Sequence, residues 1–233
     1  GIKSVLIVVP GLVSHKNNTD IAYKYLDFET YRLVSPIEPA TIGANLVRKG
    51  YEAAIFDLGA CFGDGVEELT KKIKEFQPGA VIVANSILTF GSTYDFDGKD
   101  VFSLVAELCP GSVKILTGTH ASNYPGKAIE EGICDYSLKG EPDLVVADLI
   151  DSLNEDGDLS EIVGLSYRQE DSTVFKSDQN TKVDLGDLPL PNYSLVEPSQ
   201  QPVYFKYLEF GKIRFPEMSP RYRDVQTSKS CIL

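Results

Sequence analysis

Residues 65–86, GVEELTKKIKEFQPGAVIVANS, contain an amphipathic segment followed directly by an apolar one, and this pair decides the fold class. In the first segment the acidic residues come early and the lysines late, as a helix dipole favours. Its apolar residues recur at helical spacing, at Val66, Leu69, Ile73 and Phe76. Residues 80–84 are apolar at every position, which is typical of a strand buried on both faces. The stretch predicts one helix–strand unit of an α/β protein.

The same alternation recurs over the first 150 residues. Apolar runs lie at 5–9, 53–58, 80–86 and 113–118, with a weaker one at 134–140. Amphipathic segments lie at 39–50, 65–79, 100–111 and 141–153. In the first of these, we expect Ile42, Leu46 and Val47 to share the buried face. The alternation predicts a Rossmann-like or flavodoxin-like fold, with a doubly wound, parallel five-stranded sheet and helices on both faces.

The pattern changes after residue 154. Residues 162–168 and 173–175 read as two strands joined by a polar turn, which predicts a C-terminal β-hairpin. The Pro-rich stretch 184–198 predicts an extended connector that leaves the domain. We therefore expect three parts: an α/β domain at 1–154, a hairpin extension at 155–180 and a connector at 181–233.

Charge and composition exclude several classes of function. The net charge of −12 leaves no basic patch for nucleic acid, and no apolar run approaches the length of a membrane span. The first eleven residues, GIKSVLIVVPG, read as a buried strand rather than a signal peptide. Four cysteines without a CxxC pair do not indicate a disulfide framework. We expect a cytoplasmic protein that binds neither nucleic acid nor membrane.

The loops that follow the strands are the candidate site, because ligands of doubly wound sheets bind at the carboxyl ends of the strands. Gly118 permits close backbone approach, and His120 is one of only two histidines. The hydroxyls of residues 86–93 and the acid Glu141 suit helix capping equally well. No GxGxxG or Walker motif follows the first strand, which disfavours a nucleotide site, and no paired acids mark a phosphoacceptor.

Six stretches, taken in order, resemble the amino-terminal half of cobalamin-binding radical S-adenosylmethionine enzymes. They are EPATIGANLVRKGYEAAIFDL (38–58), FQPGAVIVANSILTF (76–90), VKILTGTHASNYPGKAIEEGICDYSLKGEPDLVVADLI (113–150), EIVGLSYRQ (161–169), LGDLPLPNYSLV (185–196) and QTSKSCIL (226–233). The fifth corresponds to a Leu-Pro-x-Pro connector. The last corresponds to the start of the cluster motif CxxxCxxC, with Cys231 as its first cysteine.

The resemblance implies that this chain stops where a radical S-adenosylmethionine barrel, its expected partner domain, would begin. A [4Fe-4S] cluster needs three protein thiolates from that motif, and Cys231 supplies one. We therefore expect the cluster and S-adenosylmethionine to bind only in a full-length protein. That protein would transfer a methyl group or perform related radical chemistry, and this chain alone would be inactive.

The resemblance also implies cobalamin as the cofactor. In the wider superfamily a DxHxxG motif supplies the lower cobalt ligand, but here Asp57 is followed by Gly59 at the histidine position. We expect base-off cobalamin without a histidine ligand from this loop. The implied cofactor-binding residues are Pro10, Gly11, Leu12, Cys61 and Phe62 under the corrin, Ser86, Leu88 and Thr89 along the nucleotide tail, Gly118, Thr119 and His120 across the sheet, and Gly140 and Glu141 at the corrin edge or tail.

Two alternatives remain open at this stage. A degenerate α/β interaction domain that no longer binds cobalamin would share the fold and the connector. An unrelated α/β enzyme, such as a nucleotide-sugar transferase, would bind a nucleotide, which the missing phosphate loop disfavours. The sequence does not identify a substrate or an oligomeric state.

Overall fold

A computed structural model describes residues 1–10, 36–61, 64–85, 98–179 and 181–201. Within these ranges the strands are β1 (Ser4–Val9), β2 (Glu52–Asp57), β3 (Ala80–Asn85), β4 (Val113–Gly118), β5 (Tyr136–Leu138), β6 (Leu165–Arg168) and β7 (Val174–Lys176). The helices are α1 (Ile37–Arg48), α2 (Gly65–Phe76), α3 (Gly98–Leu108), α4 (Thr119–Asn123), α5 (Lys127–Glu130) and α6 (Val145–Glu155). No helix in the described ranges has the length and apolar character needed to cross a membrane.

The strands form one sheet in the order β2-β1-β3-β4-β5-β6-β7. The first five are parallel, which confirms the predicted parallel sheet. The predicted hairpin, β6 and β7, pairs antiparallel with β5 and extends the same sheet to seven strands. Because β1 lies between β2 and β3, the topological switch point of the sheet is beside β1.

Helices cover both faces of the sheet, as the sequence predicts. Alternate strand residues such as Ile7 and Ile55 pack with α1 and α6, and their neighbours such as Leu6 and Phe56 pack with α2 and α3. Residues 5–8 of β1 are completely buried. Uninterrupted apolar runs form these strands because both sides of each strand enter a core.

Helix α1 differs from the prediction in one residue of its buried face. Ile42 and Leu46 are completely buried, but Val47 is 43% exposed. Val47 lies five residues after Ile42, which at about 100° per residue places it well outside the stripe that contacts the sheet. The expectation that Val47 belongs to the core was therefore wrong.

The crossover from β4 to β5 contains two short helices, α4 and α5, in a stretch for which the sequence analysis predicted no amphipathic segment. Between them, Pro125 and Gly126 interrupt the helical path, and Gly126 has a φ of +76°. A proline and a left-handed glycine end a helix because one lacks the N–H and the other reverses the backbone.

The described part of the connector does not leave the α/β domain, contrary to the expectation from its prolines. Thr181 forms a parallel bridge with Gly140, and Val196 forms one with Ile55 of β2. Leu195 packs over α1 at Gly43, where an added Cβ would lie 2.6 Å from the leucine Cδ1. The described part of the connector is thus docked on the α/β domain at Thr181 and at Val196, and the boundaries of the three predicted parts stay a prediction.

This docking predicts different costs for two apolar residues of the connector. Val196 is 2% exposed and Leu190 is 85% exposed. We expect Val196→Ala to lower the free energy of unfolding by about 2 kcal/mol, because it removes buried methyl groups and leaves a cavity. The control Leu190→Ala should change it by less than about 0.5 kcal/mol. Equal effects in urea denaturation would show that the connector is not docked in solution.

Candidate functional site

The carboxyl ends of β1 to β5, with the described residues that follow them, form one rim of the sheet, here called the carboxyl edge. Parallel pairing brings these ends together: Val9 lies opposite Asp57, and Asn85 lies opposite Gly118. The predicted site residues on the described part of this edge are Pro10, Cys61, Gly118, Thr119, His120, Gly140 and Glu141. Seven others lie outside the described residues, namely Gly11, Leu12, Phe62, Ser86, Leu88, Thr89 and Cys231.

The end of β2 turns directly into a short 3₁₀ helix, Leu58–Ala60. The carboxylate of Asp57 caps this turn by accepting a hydrogen bond from the Gly59 N–H at 2.8 Å. Gly59, which the sequence analysis aligned with a superfamily histidine, has no side chain that could reach a metal. Asp57 has a structural role in this turn, and the absence of a histidine ligand from this loop stays a prediction.

Cys61 follows this turn and is partly buried. Its thiol lies 3.6 Å from the Asp57 carbonyl oxygen, to which it donates, and it accepts a hydrogen bond from Gln200 Nε2 at 3.2 Å. Burial raises the pKa of the Cys61 thiol far above its ordinary value of 9.0, and the negative charge of Glu68 raises it further. The thiol is therefore protonated at neutral pH and serves as a small, weakly polar group.

The end of β4 has a backbone that only glycine adopts readily. Gly118 has φ +88° and ψ −154°, a region that other residues enter only with strain. Ser122 Oγ donates to the Gly118 carbonyl at 2.9 Å and accepts from the Gly140 N–H at 3.0 Å. One serine thus joins the loops after β4 and β5, a contact that the sequence analysis missed.

Thr119 and His120 begin the short helix α4, and both are partly buried. The His120 ring lies 5.4 Å from the ring of Tyr124, which is 54% exposed. Two planar side chains that each carry a polar group therefore follow Gly118 at the carboxyl edge.

Thr117 is a further polar residue of this edge that the sequence analysis did not single out. Its side chain is completely buried, and within the described part of the chain its hydroxyl has no hydrogen-bond partner. Alternation along β4 places it on the same face as Ile115, which packs with α1 and α6. A buried hydroxyl without a partner costs about 1–3 kcal/mol, a cost that a hydrogen bond to a bound ligand would offset.

Gly140 and Glu141 hold the connector. A Cβ on Gly140, whose φ is +85°, would lie 2.5 Å from Thr181 Oγ1. Glu141 Oε2 accepts from the Val183 N–H at 2.7 Å, and the Glu141 N–H donates to the Thr181 carbonyl at 3.3 Å. Their predicted contact with a cofactor stays a prediction beside this structural role.

A search of the described residues finds no cluster of three or more His, Cys, Asp or Glu side chains that could hold a metal ion. Cys231, the predicted cluster ligand, lies outside those residues, so the structure does not test its role.

Fold and edge together define a doubly wound α/β domain with a candidate ligand site at the carboxyl ends of its parallel strands. No protein-family model matches this chain. An uncharacterized methyltransferase of Pyrococcus horikoshii is 24% identical over 154 residues, which is 66% of this chain and 32% of that protein. The chain thus spans about a third of the length of this curated relative.

Among solved structures, the cobalamin-dependent S-adenosylmethionine radical enzyme OxsB with aqua-cobalamin bound has a TM-score of 0.59 at 16% identity. That match covers 90% of this chain and 25% of OxsB. The radical S-adenosylmethionine methyltransferase TsrM from Kitasatospora setae, with cobalamin and a [4Fe-4S] cluster bound, has a TM-score of 0.54 at 17% identity, covering 86% of this chain and 32% of TsrM. The resemblance found in the sequence is confirmed as a shared fold.

The raised pKa of Cys61 predicts a stability change at alkaline pH. In the unfolded chain the thiol ionises near its ordinary pKa of 9.0, whereas in the folded chain it stays protonated to higher pH. Its stabilising contribution is complete below pH 9 and is lost above it. From pH 8 to pH 10 the wild type should therefore lose up to about 1.4 kcal/mol more unfolding free energy than Cys61→Ala. Parallel curves in urea denaturation at these pH values would contradict the burial of the thiol.

Proposed function

We propose that this chain is a cobalamin-binding domain of a radical S-adenosylmethionine enzyme. The observation that most directly supports this proposal is the shared fold. The match with OxsB, in the structure with aqua-cobalamin bound, extends over 90% of this chain. In doubly wound sheets, ligands bind at the carboxyl ends of the strands beside the switch point. The candidate site of this chain lies on that edge.

The residues of the carboxyl edge fit a large ligand with a polar tail. The buried Thr117 hydroxyl, which lacks a partner within the described residues, can donate to or accept from a ligand group. Gly118, next to it, has no side chain and a backbone that only glycine adopts readily, so a ligand can approach the main chain closely. An apolar partner would leave the hydroxyl unsatisfied, and a bulky residue at 118 would block the approach.

The proposed arrangement follows the sequence assignment. The corrin would lie over Pro10, Gly11, Leu12, Cys61 and Phe62. The nucleotide tail would run along the loop with Ser86, Leu88 and Thr89. Across the sheet, Thr117 would be added to the predicted residues Gly118, Thr119 and His120. Gly140 and Glu141 border the site. Bound cobalamin would carry a methyl group on cobalt. Because Gly59 supplies no ligand, we propose the base-off form without histidine coordination from this loop.

The partner of this domain would be a radical S-adenosylmethionine barrel within a longer protein. This proposal rests on the matched enzymes, of which this chain spans a quarter to a third. The barrel would bind S-adenosylmethionine and a [4Fe-4S] cluster, with Cys231 as one of three thiolate ligands. Methyl transfer or a related radical reaction belongs to that longer protein, and this chain alone would not catalyse it.

Cobalamin retention tests the proposal directly. The purified 233-residue chain is incubated with hydroxocobalamin, passed through a desalting column and examined for corrin absorbance. We expect one cobalamin per chain with a base-off spectrum. A folded chain that retains no corrin would favour the degenerate interaction domain, and retention of a nucleotide instead would favour an unrelated α/β enzyme.

Replacing Thr117 by valine gives a sharper test. If the Thr117 hydroxyl binds the ligand, this change should weaken cobalamin binding without lowering the free energy of unfolding. Valine has the shape of threonine without the hydroxyl, so Thr117→Val should leave the free energy of unfolding unchanged or raise it by about 1 kcal/mol. The same change should weaken cobalamin binding about tenfold, because a buried ligand group loses its hydrogen bond. Urea denaturation and absorbance titration measure the two quantities.

Ser112 provides a matched control on the same stretch of chain. Its hydroxyl is also buried and without a hydrogen-bond partner among the described residues, but it precedes β4 and lies at the opposite edge of the sheet. Ser112→Ala should leave cobalamin affinity within about twofold of wild type. Equal losses of affinity in both variants, or none in Thr117→Val, would contradict the assignment of Thr117 to the ligand site.

A further inference from the structure

Gln200 brings a buried amide from the connector to the end of β2. Its side chain is 1% exposed, although it is polar and lies far along the chain from the sheet residues it contacts. Gln200 Oε1 accepts from the Asp57 N–H at 2.9 Å, and Gln200 Nε2 donates to Cys61 Sγ at 3.2 Å. Both ends of the amide are therefore occupied by the loop that the proposed function places under the corrin.

Backbone contacts of the connector fix the position of the Gln200 amide. The Glu197 N–H donates to the Ile55 carbonyl at 2.9 Å, continuing the parallel bridge between Val196 and Ile55. The Gln200 N–H then donates to the Glu197 carbonyl at 2.9 Å, which closes a turn. An ion pair of 2.8 Å between Glu197 and Lys72 on α2 fastens the turn from the other side.

The amide of Gln200 suits this contact. Its oxygen accepts from a backbone N–H while its nitrogen donates to a sulfur, so one planar group supplies both hydrogen bonds. Glutamate would lose the donor and add a negative charge beside Asp57. Methionine would keep the length and apolar volume but lose both hydrogen bonds.

We propose that Gln200 is a positioning residue for the cofactor site: it holds the loop 57–61 in the conformation that receives cobalamin. The inference rests on the proposed function and deepens it, because it couples the site to the connector.

Gln200→Met in the full 233-residue chain tests the proposal, with Gln201→Met as the matched control. Gln201 Nε2 donates to the Val196 carbonyl at 2.9 Å, within the connector itself. Three quantities are measured: the free energy of unfolding, the alkylation rate of the Cys61 peptide without cobalamin by mass spectrometry, and the affinity for hydroxocobalamin. The last two are measured where every variant is fully folded, so that they report local geometry and not stability.

We expect Gln200→Met to speed alkylation of Cys61 about tenfold and to weaken cobalamin binding about tenfold. Gln201→Met should stay within about twofold of wild type in both. An unchanged alkylation rate in Gln200→Met would show that Gln200 does not hold the loop 57–61. Faster alkylation with unchanged cobalamin affinity would show that Gln200 is a structural contact without a positioning role. A wild-type chain that retains no cobalamin would overturn the proposed function and, with it, the positioning role, whatever the alkylation rate.

Discussion

The position of β1 between β2 and β3 determines most of this structure. The chain moves outward from β1 to β2 and then returns past β1 to β3, so helices cover both faces and residues 5–8 lose all contact with solvent. The five parallel strands all end on the same edge of the sheet, and the strand order reverses direction beside β1. A ligand site at that edge follows from the topology before any side chain is considered.

The parallel sheet could be predicted from the sequence because its signal is local. Runs such as residues 80–84 are apolar at successive positions and rich in valine and isoleucine, which is typical of a strand covered on both faces. The docking of the connector has no such signal: Val196 lies in a Pro-rich stretch without a period, and its partner Ile55 is distant in sequence. Val47 was misplaced because an apolar residue near the end of an amphipathic helix need not lie on its buried stripe.

For the candidate site, the sequence indicated the edge but not the contacts within it. The rule for parallel sheets predicts that Gly118 and His120 lie near a ligand, and the structure places both on the carboxyl edge. That Thr117 lacks a described partner, or that Gly140 and Glu141 hold the connector, depends on packing that no motif encodes. Gln200 shows this most clearly, because its two partners, Asp57 at the end of β2 and Cys61 after the turn, lie 143 and 139 residues earlier in the chain.

Hydrogen exchange of the chain with and without hydroxocobalamin tests the central claim, that the carboxyl edge is the cofactor site, most directly. The account predicts slower exchange in peptides that contain residues 57–61 and 117–120, with little change in peptides around Ser112 at the opposite edge. Protection confined to the hairpin or to the outer surfaces of the helices, in a chain that retains the corrin, would contradict it.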